Sequence, residues 1–460
     1  MKRRTFIAGA TTAGSLAALG GVAYAATTEP RGAVTKAGHV RGATAITGVF
    51  GDGQKLVAVA VEYDQDIAGS SLSTSTFAVT GRTVTKVYAN TTTAVAAQGR
   101  DGRYVIVELS PDDTAAALWV TGQGGGGTPS GTPSPTSSGG TGDGPGPGGP
   151  VVGDTTPGGT IVAAKATLTQ KGTVTTTGGA HYAASDTVLT TGSVVNPVVD
   201  DFRQFTFDDP ATGQSLKYNL YIPKNYDPRK SYPLVLFMHD ASVVNVATQG
   251  PLVQGLGAVC WASPEDQAKH ESFVLAPEYG AVVIDDTYKP STLFDATANL
   301  VTSLTKQYAI DAKRLYATGQ SMGAMMTLGL NIKYPDLFAA SFVVAGQWPT
   351  EEVAPLAAKK LWVVVAQDDT KAYPGENGIM QVIEGAGTKV ATAVWDGRST
   401  AAQFASDVRS LKSQKAPVNY ASFQEGTVVP AGSTVSGHMA TWRIAYTIPG
   451  VRDWIMRQSR

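Results

Sequence analysis

The apolar positions change rhythm along the chain. Between residues 42 and 120, runs such as Leu56-Val57-Ala58-Val59-Ala60-Val61-Glu62-Tyr63 and Tyr104-Val105-Ile106-Val107-Glu108-Leu109 are rich in β-branched and aromatic residues, with Gly and Asp turns between them. That pattern predicts the short strands of an antiparallel sandwich. Residues 122–159 are mostly Gly, Pro, Ser and Thr, and their only large apolar residues are Val151 and Val152. Such a stretch buries too little surface to fold and reads as a flexible strap. Short β-type runs resume at 160–164, 173–175 and 187–189. They are too few for a domain of their own. The expectation is one sandwich over residues 40–200, with a disordered insertion at about 121–160.

From Phe202 onward a second rhythm begins. Residues 218–222 alternate, whereas 234–238, 273–276, 342–345 and 361–365 are continuously apolar, as in strands covered on both faces of a parallel sheet. Residues 293–307 and 401–414 carry apolar side chains at helical spacing. Alternating strands and helices predict an α/β domain over 201–460: a mostly parallel sheet with helices on both faces, and a site built from loops at the carboxyl ends of its strands.

Composition agrees with two folded domains. The 460 residues exceed one ordinary core, and 42% hydrophobic with 16% charged is a globular balance. Lys+Arg 36 against Asp+Glu 37 leaves a net charge of −1, which gives no basis for a nucleic-acid or polybasic membrane partner. Lys2-Arg3-Arg4-Thr5-Phe6-Ile7, a weakly apolar run and Ala23-Tyr24-Ala25 read as a twin-arginine signal peptide over 1–25 with an A-x-A cleavage site. The run is too short and too rich in Gly and Thr for a membrane anchor, so export is expected. The single cysteine, Cys260, excludes an intramolecular disulfide and a zinc–cysteine site. Beside Trp261 in an apolar run, it is expected as a buried thiol.

The candidate chemistry lies at Gly319-Gln320-Ser321-Met322-Gly323. A strand-like stretch (314–318) precedes it, and a helical pattern (324–333) follows. Strand, G-x-S-x-G, helix is the nucleophile elbow of α/β-hydrolases. The turn is so tight that side chains two residues either side of the serine would collide, hence the glycines. A serine nucleophile needs a base, and the base needs an orienting carboxylate. In this fold they follow in the order Ser, Asp or Glu, His. Of the histidines His39, His181, His239, His270 and His438, only His438 follows Ser321, and it is expected in a loop before a helix. For the carboxylate, Asp369 in the Asp368-Asp369 pair after residues 361–365 leads, with Asp396 as the fallback. Two N–H donors must face the oxyanion: Met322, and one from the loop His239-Asp240-Ala241-Ser242. His239 reads as a loop-shaping residue. Trp261, Phe294 and Trp348 are candidates to line the substrate pocket, against a core role. No metal or cofactor is called for.

Further stretches carry a resemblance: Lys217-Tyr218-Asn219-Leu220-Tyr221-Ile222-Pro223, Tyr232-Pro233-Leu234-Val235-Leu236-Phe237-Met238-His239-Asp240-Ala241 and Trp261-Ala262-Ser263-Pro264-Glu265. With the elbow, they resemble secreted bacterial esterases that carry an N-terminal immunoglobulin-like domain, relatives of polyhydroxybutyrate depolymerase-like and feruloyl esterase-like α/β-hydrolases. The resemblance covers most of residues 40–460. It implies Ser321, Asp369 and His438 as a triad, a small or polymeric ester as substrate, and a sandwich that shields or shapes the site. Asp240 departs from the wider pattern, where His-Gly is commoner, and of Asp240 and Ala241 the latter is chosen as the second oxyanion donor. Two other readings stand beside the carboxylesterase: a serine peptidase of the prolyl-oligopeptidase type, and a non-catalytic polymer- or wall-binding protein.

Overall fold

A computed structural model describes residues 38–121 and 149–460. The signal-peptide reading and the central part of the predicted insertion lie outside these residues.

The N-terminal strands form two facing sheets. Val40–Phe50 and Gly53–Ile67 make a long hairpin, joined by Gly102–Leu109 and Val84–Asn90 on one side and by Ser193–Val195, in parallel, on the other. The second sheet has three strands, Ser185–Thr190, Thr167–Gln170 and Phe77–Val79. Alternating residues Val59, Val61 and Tyr63 point into the layer between them and are fully buried, as the period of two requires. Trp119–Thr121 pairs antiparallel with Gly159–Ile161.

The C-terminal sheet has nine strands. In spatial order they are Phe202–Asp209, Gln214–Tyr221, Phe273–Glu278, Tyr232–Met238, Ile310–Gln320, Ala340–Val344, Leu361–Ala366, Val418–Phe423 and Val390–Trp395. The first two pairings are antiparallel and the rest parallel. Every residue of Tyr232–Met238 and Leu361–Ala366 is buried, because helices cover both faces. Each large apolar side chain so buried is worth about 1.5–3 kcal/mol. Leu293–Gln307 and Ala401–Ser413 are the helices expected from spacing. Ile310–Gln320 is the fifth of nine strands, so its carboxyl end opens at the middle of the sheet, where loops from both sides can converge.

Two of the contacts between the parts bear on the site. The tip of the Val40–Phe50/Gly53–Ile67 hairpin rests on the Gly437–Ala445 helix: a Cβ added at Gly51 would lie 2.1 Å from the Arg443 carbonyl oxygen. Residues 152–158 cross the second domain, starting from a turn at Val151–Asp154. Gly153 N–H donates to Val282 O (3.0 Å), Val282 N–H to Asp154 O (2.8 Å), Val152 N–H to Asp285 Oδ2 (2.8 Å) and Gly158 N–H to Ser242 O (3.0 Å). This part of the predicted strap therefore follows the surface of the second domain, its backbone satisfied by the loops it crosses.

Candidate active site

Ser321 stands between the Ile310–Gln320 strand and the Met322–Lys333 helix at φ 52°, ψ −118°, a conformation that costs a non-glycine residue free energy and persists only when its surroundings enforce it. The surroundings are closely packed backbone. A Cβ at Gly319 would lie 2.3 Å from Gly323, and one at Gly323 would lie 2.0 Å from Met238 O. The serine N–H donates to Val344 O at 3.1 Å, which ties the turn to the neighbouring strand.

His438 Nε2 lies 2.8 Å from Ser321 Oγ, and His438 Nδ1 lies 2.5 Å from Asp369 Oδ2. The histidine is in the first turn of the Gly437–Ala445 helix rather than in the expected loop. Ser436 caps that helix, accepting from the Met439 N–H at 3.2 Å, so the helix begins at Gly437, before the histidine rather than after it. Asp369 is buried, and its Oδ1 accepts from the N–H groups of Lys371 (3.1 Å) and Ala372 (2.9 Å). Burial pushes its carboxyl upward, but the contact with His438 and those N–H groups outweigh it and hold the acid below the ordinary carboxylate range. Asp368 turns away and accepts the Gly426 N–H at 3.0 Å. Asp396, the fallback, pairs with Arg398 on an exposed turn.

The loop after Tyr232–Met238 reaches the serine from the other side. Asp240 accepts from Ser242 N–H (2.9 Å) and Oγ–H (2.5 Å) through one oxygen, and from Gln320 Nε2–H (2.8 Å) through the other. The carboxylate that departs from the wider pattern thus binds this loop to the residue before Ser321. The N–H groups of Asp240, Ala241 and Met322 find no acceptor among the described residues. His239 is fully buried: its Nδ1–H donates to Asp240 O (2.8 Å), and its Nε2 accepts from Tyr279 N–H (3.0 Å). Burial depresses its pKa to about 4. The native state therefore refuses a proton that the unfolded chain takes up near 6.5. Stability from this site is complete above about 6.5 and is lost as pH falls toward 4. Urea midpoints against pH should fall across that window in the native protein and fall less steeply in His239→Asn.

Two domain families match the chain: "Esterase Ig-like N-terminal domain" over residues 42–183 and "Putative esterase" over 210–427. The chain is an esterase-family α/β-hydrolase with an immunoglobulin-like N-terminal domain. The crystal structure of a thermostable esterase superposes on 92% of this chain and 100% of its own, with TM-score 0.73 and 25% identity. Acetylxylan esterase A of Emericella nidulans is 33% identical over 107 residues, 20% of this chain and 35% of its own. A probable acetylxylan esterase A of Aspergillus flavus is 50% identical over 52 residues, 11% of this chain and 17% of its own. The chain thus spans well under two thirds of the length of these curated relatives.

The esterase domain does not bring every candidate to the serine. Trp261 is a correction: it lies in the Leu256–Ala262 helix, 1% exposed in the main core, because that helix packs against the sheet interior. Phe294 is core as well. Trp348 follows the Ala340–Val344 strand, next to the elbow strand, but its ring packs against Gly329 and its Nε1–H donates to Glu352 (2.9 Å). Cys260 is buried, and its thiol is pushed up to about 12. Sequence reasoning missed Glu376. This fully buried acid accepts the Gly346 N–H at 2.8 Å, and its second oxygen has no partner. Burial, against that N–H and with Asp369 nearby, raises its pKa well above the ordinary range. The signal was an acid among Ala372, Ile379, Met380 and Ile383 on the apolar face of its helix. Among the described residues no group of His, Cys, Asp and Glu is placed to hold a metal ion, and no helix is long and apolar enough to cross a membrane.

Proposed function

We propose that this protein is an exported serine carboxylesterase that works through an acyl-enzyme. The observation that carries the reading is the unbroken line of contacts from Ser321 Oγ through the His438 ring to Asp369. Ser321 Oγ attacks the ester carbonyl while His438 Nε2 takes its proton. The carbonyl oxygen becomes an oxyanion facing the N–H groups of Met322 and Ala241, each such donor contributing roughly 3–4 kcal/mol of barrier reduction. Asp369 holds Nδ1–H and stabilises the imidazolium that forms. Collapse breaks the bond to the alcohol, which leaves with the proton from Nε2. Water then enters, gives a proton to Nε2, and attacks the acyl-enzyme. The carboxylic acid departs as Ser321 recovers its proton. Twin-arginine export belongs to this proposal and rests on residues 1–25.

A fluorophosphonate probe followed by peptide mass spectrometry tests the assignment, with p-nitrophenyl acetate and a peptide p-nitroanilide compared in parallel. The expected result is a single adduct on Ser321 and turnover of the ester alone. An adduct elsewhere overturns the nucleophile, and preferred cleavage of the anilide overturns the bond type in favour of a peptidase.

A further inference from the structure

Where the two domains meet beside the candidate site there is a cavity of about 130 Å³, lined by Asp52 and Trp119 from the first domain and by Asp240, Gln254, Trp442 and Arg443 among others from the second. It adjoins the proposed chemistry. Trp442 meets the His438 ring edge-on at 5.1 Å, and Gln254 Oε1 accepts from Gln320, the residue before Ser321, at 3.2 Å.

The polar groups of this cavity are unequally satisfied. Its acceptors are engaged: Asp240 by Ser242 and Gln320, and Asp52 by Lys55 Nζ at 2.9 Å. Its donors are not. Gln254 is 5% exposed, and its Nε2 has no partner. Arg443 is half-buried and makes no side-chain hydrogen bond or ion pair within 4 Å among the described residues. Burial works against its charge, and Asp52 is the acid near enough to offset that. A guanidinium presents a fork of N–H groups that matches a carboxylate, and a buried donor without an acceptor is costly to leave unmet. A ligand that fills this cavity must therefore bring oxygen acceptors. The part of an ester lying on the His438 side is the leaving alcohol, which takes its proton there.

We propose that the immunoglobulin-like domain closes a subsite for a carboxylate carried on the alcohol portion of the ester, held by Arg443 and Gln254 between walls supplied by Trp119 and Trp442. The proposal rests on the esterase reading and adds a substrate class to it. Asp52 tunes the subsite from the first domain: it partly neutralises Arg443 and so limits how tightly an anion is held.

The test uses the full chain and two acetate esters of equal size, 3-(3-acetoxyphenyl)propanoate and the corresponding neutral propanamide. The readout is the ratio of their kcat/KM values. Arg443→Met should lower the ratio about ten-fold or more, the scale of a lost charge-assisted hydrogen bond. Arg443→Lys should recover part of it. Asp52→Asn, a surface change in the other domain, should raise it, and added salt should lower it in the native protein. A ratio that Arg443→Met and Asp52→Asn both leave unmoved overturns the subsite. Ser321→Ala separates this from failure of the esterase reading: a silent alanine variant with a flat ratio sinks the subsite alone, whereas an active one sinks the nucleophile.

Discussion

Ser321→Ala is expected to lower kcat for p-nitrophenyl acetate by about 10⁴-fold or more, with little change in thermal midpoint. Residues acting as one nucleophilic unit fail together, so His438→Ala should lose nearly as much, and the double variant little beyond either single one. The small structural effect follows from the site. Ser321 Oγ meets His438 at the rim, and alanine can occupy the same strained backbone because the neighbouring glycines and Val344 O enforce it. Near-additive losses in the double variant would mean that the two residues do not act as a unit.

Gly323→Ala is expected to be the most damaging single methyl group in the chain. Its Cβ would lie 2.0 Å from Met238 O and 2.9 Å from His239 O. Both are backbone atoms at the end of a fully buried strand, so neither can yield without moving the sheet. The loss should exceed about 4 kcal/mol in urea unfolding, or the protein should fail to accumulate in soluble form. Gly385→Ala is the control. It ends the Ala372–Gly385 helix with nothing within 4 Å of the added carbon, and it should be neutral or stabilising by up to about 1 kcal/mol. A Gly323→Ala variant as stable as Gly385→Ala would mean that the elbow is looser than the geometry describes.

Where a property depends on neighbours in the chain, it was legible before any coordinates. The elbow reads from five residues, since its tight turn admits only hydrogen at 319 and 323. The Leu361–Ala366 strand reads from its unbroken apolar run, and the 293–307 helix from its spacing. Asp369 and His438 were reachable because the topology of this fold constrains their order. Helix starts were less legible: the Gly437–Ala445 helix begins at a polar cap that an apolar pattern does not mark. The aromatic candidates were not legible: Trp261 and Trp348 read in sequence as pocket candidates, but packing buries both in the main core, Trp348 with its ring against Gly329.

The sequence by itself determined the two architectures, the elbow and the short list of residues able to complete it, because hydrophobic period, turn chemistry and chain order are local or ordinal properties. Only the tertiary structure decided the rest. It brought Asp240 to Gln320, set Glu376 as a buried acid near Asp369, laid residues 152–158 across the esterase domain, and left the donors of Gln254 and Arg443 unmet at the domain junction. Those are distances between groups far apart along the chain, and no rule of composition or spacing specifies which side chain faces another across a sheet edge or a domain boundary.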